Sequence, residues 1–384
     1  VMNPRFAGTI EEVRRELAAD PERATPEQIA DLVRSHTHGL ISDRDLYDVL
    51  SATHAEVGGA GPLEPLLGDP QVTDVLVNGP RSVWVDRGAG LERTSVDLGD
   101  DDAVRTLAQR LAARAGRRLD GANPWVDVTL PDGGRLHAVI SPISSAGALI
   151  SVRTMRRRQL GLDALVAGGL PAEVVDLLVE IVRSRLSFLV CGGTGSGKTT
   201  LLSMLLEYAD PAERVLVVED ADELRPDHPH TVKLLSRPPN IEGSGEITLR
   251  TLVRQSLRMR PDRVVVGEVR GPEIVELLMA LNTGHRGGAG TIHANGVHDV
   301  PARIVALASL ADLSPAAVTV QMSAALDVLV HVDRGPDGVR RVAEIAVIAE
   351  EHGRPLVRTV WDLRDGFTAD AALLDARLTG GIGS

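Results

Sequence analysis

The chain has 384 residues, 43% of them hydrophobic and 24% charged, and a formal net charge of −12; this predicts a soluble protein of two or three domains, each with its own core. No apolar run reaches the ~18 residues of a membrane span, and no basic stretch followed by an apolar one opens the chain as a secretion signal would; the single Cys191 excludes an internal disulfide and a cysteine-only zinc site. These features predict a cytoplasmic protein, attached to a membrane at most peripherally, and the acidic balance argues against nucleic acid as a partner, although Arg153 and Arg156–Arg158 form a local basic cluster.

Residues 9–56 read as helices. In "TIEEVRRELAAD", Ile10, Val13 and Leu17 share a face; "TPEQIADLVRSH" opens on a capping box, Thr25 to Gln28; "SDRDLYDVLSATHAEV" repeats the pattern. Residues 1–56 are therefore expected to form a small helical bundle. Residues 57–155 read as an α+β domain: the short strands "VTDVLVN", "SVWVDR" and "LERTSVDL", the helix "DDAVRTLAQRLAARAG", a hairpin about Asp132-Gly133-Gly134, and the strand "ALISVRTM". "RRRQLGL", residues 156–162, reads as a connector. From residue 163 onward helices alternate with short, continuous apolar strands, "LSFLV", "RVLVVED" and "RVVVGEV". Strands of that kind are buried on both faces, so the alternation predicts a doubly wound, mainly parallel sheet. "ALDVLVHVDRGPDGVRRVAEIAVIAE" suggests a hairpin appended to it.

Between "LSFLV" and the helix "KTTLLSMLLEYA" lies Gly192-Gly193-Thr194-Gly195-Ser196-Gly197-Lys198-Thr199, followed by Thr200. Strand, glycine-rich loop, lysine and helix are the parts of a triphosphate cradle. Successive backbone N–H groups converge on phosphate oxygens where side chains would obstruct them, and the helix start adds its positive end. Only two of the 41 basic residues, Lys198 and Lys233, are lysines. A compact ammonium at Lys198 suits the β- and γ-phosphates better than a planar guanidinium, and Thr199 offers its hydroxyl to Mg²⁺.

Hydrolysis needs acids beside the cradle. Strand "VVV" ends in Gly267-Glu268, and "VLVVEDADEL" ends another apolar strand with Glu219, Asp220 and Glu223. Either Glu223 or Glu268 activates water while the other serves the metal; the pattern does not choose between them. Arg250, Arg254 and Arg258 lie four apart on one face of a helix, either as a solvated basic face or, for Arg254 and Arg258, as stabilisers of transition-state charge. "NTGHRGGAGTIHAN" carries His285 and His293, read as γ-phosphate sensors or subunit contacts.

These segments together resemble the type II/type IV secretion ATPase superfamily, most closely its CpaF/TadA-like branch that powers Tad pilus assembly. "GGTGSGKTT" is similar to its Walker A, "VVEDADEL" to its Asp box, "LRMRPDRVVVGEVRGPE" to its Walker B segment and "NTGHRGGAGTIHAN" to its His box. Upstream, "GPLEPLL", "VTDVLVNGP", "VWVDRG" and "LPDGGRLHAVISP" resemble the branch's amino-terminal domain. The resemblance implies a RecA-like P-loop domain over residues 163–384 and a homo-hexamer whose amino-terminal domains close over nucleotide. In that arrangement Arg135 and Arg153 would supply arginines to it. It also implies an Mg²⁺-dependent ATPase working with inner-membrane platform proteins to extrude pilin. The His box departs from many relatives at Arg286 and Ala289-Gly290.

Three alternatives follow from the same residues. A VirB11-like ATPase of conjugative transfer keeps the fold and changes the cargo. A RecA-like nucleic-acid motor is opposed by the acidic charge and by an aromatic content of 2%, which leaves few stacking platforms. A non-hydrolysing nucleotide switch would use the cradle without the acids.

Overall fold

The structure is a computed structural model describing residues 26–36, 59–88, 90–154, 161–239, 244–335, 338–351 and 354–380. It divides into two compact units, Val1–Arg158 and Gln159–Ser384. Of the expected helical bundle, α1 (Pro26–His36) is described, with Val33 fully buried; the rest of 1–56, including the capping threonine, lies outside the described residues, as does most of the 156–162 connector.

In the first unit a helical turn, Gly61–Leu63, and α2 (Glu64–Leu67) precede β1 (Asp74–Val77), β2 (Val83–Asp86), β3 (Leu91–Arg93), α3 (Asp101–Arg114), β4 (Trp125–Thr129), β5 (Arg135–Val139) and β6 (Leu149–Arg153). The strands form one antiparallel sheet in the order β3-β2-β1-β6-β5-β4. Alternation puts Val75, Val77, Val83, Val85, Leu136, Ala138, Ile150 and Val152 on one face, where they share a core with Val104, Leu107 and Leu111 of α3. Asp100 caps α3 by accepting the Ala103 N–H at 2.8 Å. The strand expected over "LERTSVDL" stops at Arg93, because residues 91–93 form an exposed edge and the chain then turns on Asp97, which accepts the Gly99 N–H at 2.9 Å.

The second unit runs α4 (Asp163–Ala167), α5 (Ala172–Arg183), β7 (Phe188–Gly192), α6 (Lys198–Leu206), β8 (Val215–Glu219), β9 (Thr231–Leu235), α7 (Leu249–Ser256), β10 (Arg263–Val269), α8 (Glu273–Asn282), β11 (Ala289–His293), α9 (Val300–Ser309), α10 (Pro315–Ala325), β12 (Val328–Arg334), β13 (Arg340–Glu351), β14 (Arg354–Asp362), β15 (Gly366–Phe367) and α11 (Ala371–Gly380). Its sheet has the order β15-β14-β13-β12-β7-β11-β10-β8-β9. The stretch from β12 to β9 is parallel throughout, and β13, β14 and β15 extend it antiparallel. Two cores flank it: α5, α6 and α11 supply Leu178, Leu202 and Leu374 on one face, and α7 to α10 supply Val253, Leu277, Ile304 and Met322 on the other. This is a doubly wound RecA-like domain.

Strand β11 was not legible in the sequence, where Gly287-Gly288-Ala289-Gly290 reads as a turn. It lies at the centre of the sheet, and its small residues answer to crowding. A Cβ at Gly288 would fall 2.5 Å from Leu281 Cδ2 and 2.6 Å from the Val264 carbonyl oxygen; one at Gly290 would fall 2.9 Å from the Val266 oxygen. Gly288→Ala is therefore expected to lower stability by about 1–3 kcal/mol through overpacking against fixed backbone, read as a lower urea midpoint with an unchanged slope.

Candidate active site

The site is built at the carboxyl ends of neighbouring parallel strands, where open α/β sheets place their ligand crevices. β7 ends in Gly192 and feeds the loop into α6; β11, hydrogen-bonded beside it, ends in His293, the register partner of Gly192; β10 lies next to β11 and carries Glu268; β8 ends in Glu219. The order β7-β11-β10-β8 therefore sets the histidine between the glycine-rich loop and the acidic strand.

The loop needs glycine for two reasons. Gly192, Gly195 and Gly197 have φ of +153°, +71° and +101°, a region that side chains resist. A Cβ at Gly192 would also stand 2.2 Å from the Val332 carbonyl oxygen. Gly197 is the left-handed N-cap of α6, with Lys198 as the first helical residue. Ser196 is 2% exposed, and its buried Oγ has no hydrogen-bond partner among the described residues. An unpartnered buried hydroxyl within a nest of backbone amides fits an anion cradle. Lys198 is also buried; its Nζ donates to the carbonyl oxygens of Gly192 at 3.1 Å and Gly193 at 2.7 Å. Thr199 is half-buried at the start of α6 and Thr200 is exposed beside it. Gly192, Gly193, Thr194, His293, Asp299 and Arg303 line a cleft of about 550 Å³.

His293 joins the lysine to the acid. Its Nδ1 lies 3.4 Å from Lys198 Nζ and its Nε2 lies 2.9 Å from Glu268 Oε1. An ammonium has only donors and a carboxylate only acceptors, so Nδ1 accepts and Nε2 carries the proton. The ring is then neutral, and its pKa is lowered accordingly, first by burial and then by the charge of Lys198, against the pull of Glu268. Glu268 reaches this position through a break in the sheet. Val266 pairs with Gly290 and Val269 with Ile292, so Gly267 and Glu268 together oppose Thr291. Such a bulge re-aims a side chain, and Thr291 Oγ1 satisfies the displaced Gly267 carbonyl at 2.6 Å.

The acids after β8 are cross-braced. Glu219 is 3% exposed; its Oε1 accepts the Leu224 N–H at 2.9 Å and its Oε2 is buried without a partner among the described residues. It packs on Gly267, where a Cβ would stand 2.6 Å from Glu219 Cγ. Burial pushes its carboxyl up to about 7, against the Leu224 hydrogen bond and the charge of Lys233. Asp220 is bound by Arg270 and, at 2.5 Å, by Ser236 Oγ; Asp222 is bound by Lys233 at 2.6 Å and Arg225 at 2.8 Å. Glu223 is exposed, and among the described residues its carboxylate has no hydrogen bond or ion pair.

Other residues singled out in the sequence stand apart from this group. Arg254, with Arg250, binds Oε1 of the buried Glu276, at 2.6 Å and 2.7 Å, in an ion pair that joins α7 to α8. Arg258 lies in the turn after α7, which ends at Ser256, so it does not share the expected helix face; it reaches Gln255 Oε1 at 3.5 Å. His285 Nδ1 meets the Ala280 carbonyl at 3.2 Å, so this histidine closes the end of α8 instead of lining the cleft as a sensor. In the first unit Arg135 forks onto Asp127 at 2.8 Å, while Arg153 is exposed, with Arg135 and Asp74 as its cross-strand neighbours.

Two arginines at the site were missed. Arg340 Nε donates to the Gly195 carbonyl at 2.9 Å, and its stem covers Gly197, where a Cβ would stand 3.1 Å from Arg340 Cδ. Arg303 lines the cleft and is the only charged residue in α9, "VPARIVALAS", a signal that was readable. No motif flags Arg340, because it arrives from β13, far along the chain.

A family model described as "Type II/IV secretion system protein" matches residues 56–355. The chain belongs to this family. It is 53% identical over 342 residues to a putative conjugal transfer protein of Mycobacterium tuberculosis, covering 87% of this chain and 97% of that one. It is 30% identical over 313 residues to a type IV secretion system protein PtlH homolog of Bordetella bronchiseptica, covering 74% and 92%. The fold of this family member is similar to the Legionella pneumophila ATPase DotB, with a TM-score of 0.55 and 19% identity over 76% of this chain and 81% of that one. Secretion ATPases make up this family, and the named boxes of the sequence fall within the matched residues.

Glu219 gives the family member a measurable pH dependence. Its folded-state pKa lies above the ordinary 4.5, so it destabilises the fold increasingly as pH rises from there to about 7, and the loss is complete above that. The full effect is on the order of 3 kcal/mol. Glu219→Gln keeps an oxygen for the Leu224 N–H and removes the titration. Relative to wild type, the variant is expected to gain urea stability at about pH 8 and to gain none at about pH 4.5.

Proposed function

We propose that this protein hydrolyses Mg-ATP and that turnover drives export through a conjugation-type (type IV) secretion machine. The observation that carries the enzymatic part is the contact chain Lys198–His293–Glu268, which ties the phosphate loop to the acidic strand. The amides of Gly192–Thr200 and Lys198 would hold the phosphates. Thr199 and Glu268 are oxygen donors suited to Mg²⁺, directly or through water, and the ion would supply neutralisation of phosphate charge. Glu223, the carboxylate left without a partner in a braced loop, would take the proton of the attacking water. That assigns the two roles the sequence left open. His293 would relay the occupancy of the loop to Glu268. Arg135 and Arg153 would complete the site from a neighbouring subunit of a homo-hexamer, working against membrane platform proteins.

The names of the relatives support the cargo. Similarity to conjugal transfer and PtlH-type proteins favours a transfer or secretion channel over the Tad pilus that the boxes alone suggested.

Lys198→Ala is expected to abolish ATP turnover with an unchanged thermal melt, and Glu223→Gln to lose turnover while retaining ATP binding. Wild-type turnover by Lys198→Ala overturns the enzymatic reading. For the cargo, a deletion strain should lose conjugative or effector transfer and recover it with wild type but not Lys198→Ala; loss of surface pili with transfer intact would return the pilus reading.

A further inference from the structure

The cleft contains a cation that the proposed chemistry does not yet use. Arg303 lies on α9, whose buried side is Val300, Ile304, Leu307 and Ala308. Residue 303 falls off that stripe and, with Asp299 one turn earlier, forms a wall of the cleft opposite the loop residues Gly192–Thr194. Asp299 is well spaced to neutralise it. Yet among the described residues no ion pair or hydrogen bond engages the Arg303 guanidinium, and the side chain is exposed to the cleft.

Around this cleft Lys198, Arg340 and Arg303 stand against Glu268 and Asp299. A triphosphate adds net negative charge even with magnesium bound, and with Arg340 held on the Gly195 carbonyl, Arg303 is the cation on the opposite wall. The lysine of such a loop marks the β/γ end of the phosphate chain. His293 touches that lysine and shares the cleft with Arg303.

We propose that Arg303 is a γ-phosphate contact supplied by the same subunit, distinguishing ATP from ADP. It rests on the nucleotide-hydrolysing reading above and adds a residue and a selectivity to it. A planar guanidinium donates to two oxygens of a terminal phosphate at once, which an ammonium at the same place does not. The contact exists only while the third phosphate is present. Its loss on hydrolysis would then weaken the hold on the product.

The test measures Mg-ATPγS and Mg-ADP affinities by calorimetry for wild type, Arg303→Gln and Arg303→Lys. Loss of one charge-assisted contact should weaken ATPγS about 10- to 100-fold in Arg303→Gln and leave ADP within about threefold. Arg303→Lys should recover only part of the difference. An unchanged ATPγS-to-ADP ratio, or equal weakening of both, overturns the proposal while leaving the hydrolytic reading intact. A wild-type protein that binds neither nucleotide overturns both.

Discussion

The hydrogen bond from His293 Nε2 to Glu268 depends on a strand that enters the sheet through small residues, Gly288, Ala289 and Gly290. β11 stands between β7 and β10, and both neighbours are fully apolar and buried at that level. Only glycine and alanine let its backbone pass Leu281, Val264 and Val266. Once it is there, its last residue lies beside the phosphate loop on one side and the bulged acid on the other. The packing of Gly288 and Gly290 is therefore the condition for the polar geometry above it. A core constraint and a chemical one are met by adjoining residues, 288–290 and His293.

A similar economy governs the acids. Gly267 lets the Glu219 side chain lie across β10, and Glu219 in turn holds the Leu224 amide. That fixes the span from 219 to 224, and Arg270, Ser236, Lys233 and Arg225 fix its aspartates. Four of the surrounding polar groups serve to orient a loop whose remaining carboxylate, Glu223, faces solvent. Keeping one acid unpaired among several paired ones separates structural carboxylates from reactive ones without any difference in residue type.

Much of this was readable before the fold. The phosphate loop, the strands "RVLVVED" and "RVVVGEV", and the hairpin about Asp132-Gly133-Gly134 follow from apolar runs, glycine spacing and alternation, which act locally. The failures share a cause: they are decided by residues distant in sequence. The segment entering β11 looks like a turn because Gly288 and Gly290 answer to the crowding of Leu281, Val264 and Val266. Arg254 and His285 carry ionisable side chains that suggest chemistry, and only the position of Glu276 and the end of α8 show them as structural partners. Glu219 and Glu223 are alike in sequence and differ in burial and in hydrogen bonding. Arg340 was invisible because 145 residues separate it from Gly195.

That last contact ties the margin of the sheet to its centre. The Val332 carbonyl lies against Gly192 and the Arg340 guanidinium grips the Gly195 carbonyl, so the turn end of the β12–β13 hairpin holds the loop at two points. β13 continues into β14 through a long antiparallel ladder. The outer strands are thus joined by continuous hydrogen bonding to the strand whose first residue holds the Gly195 carbonyl.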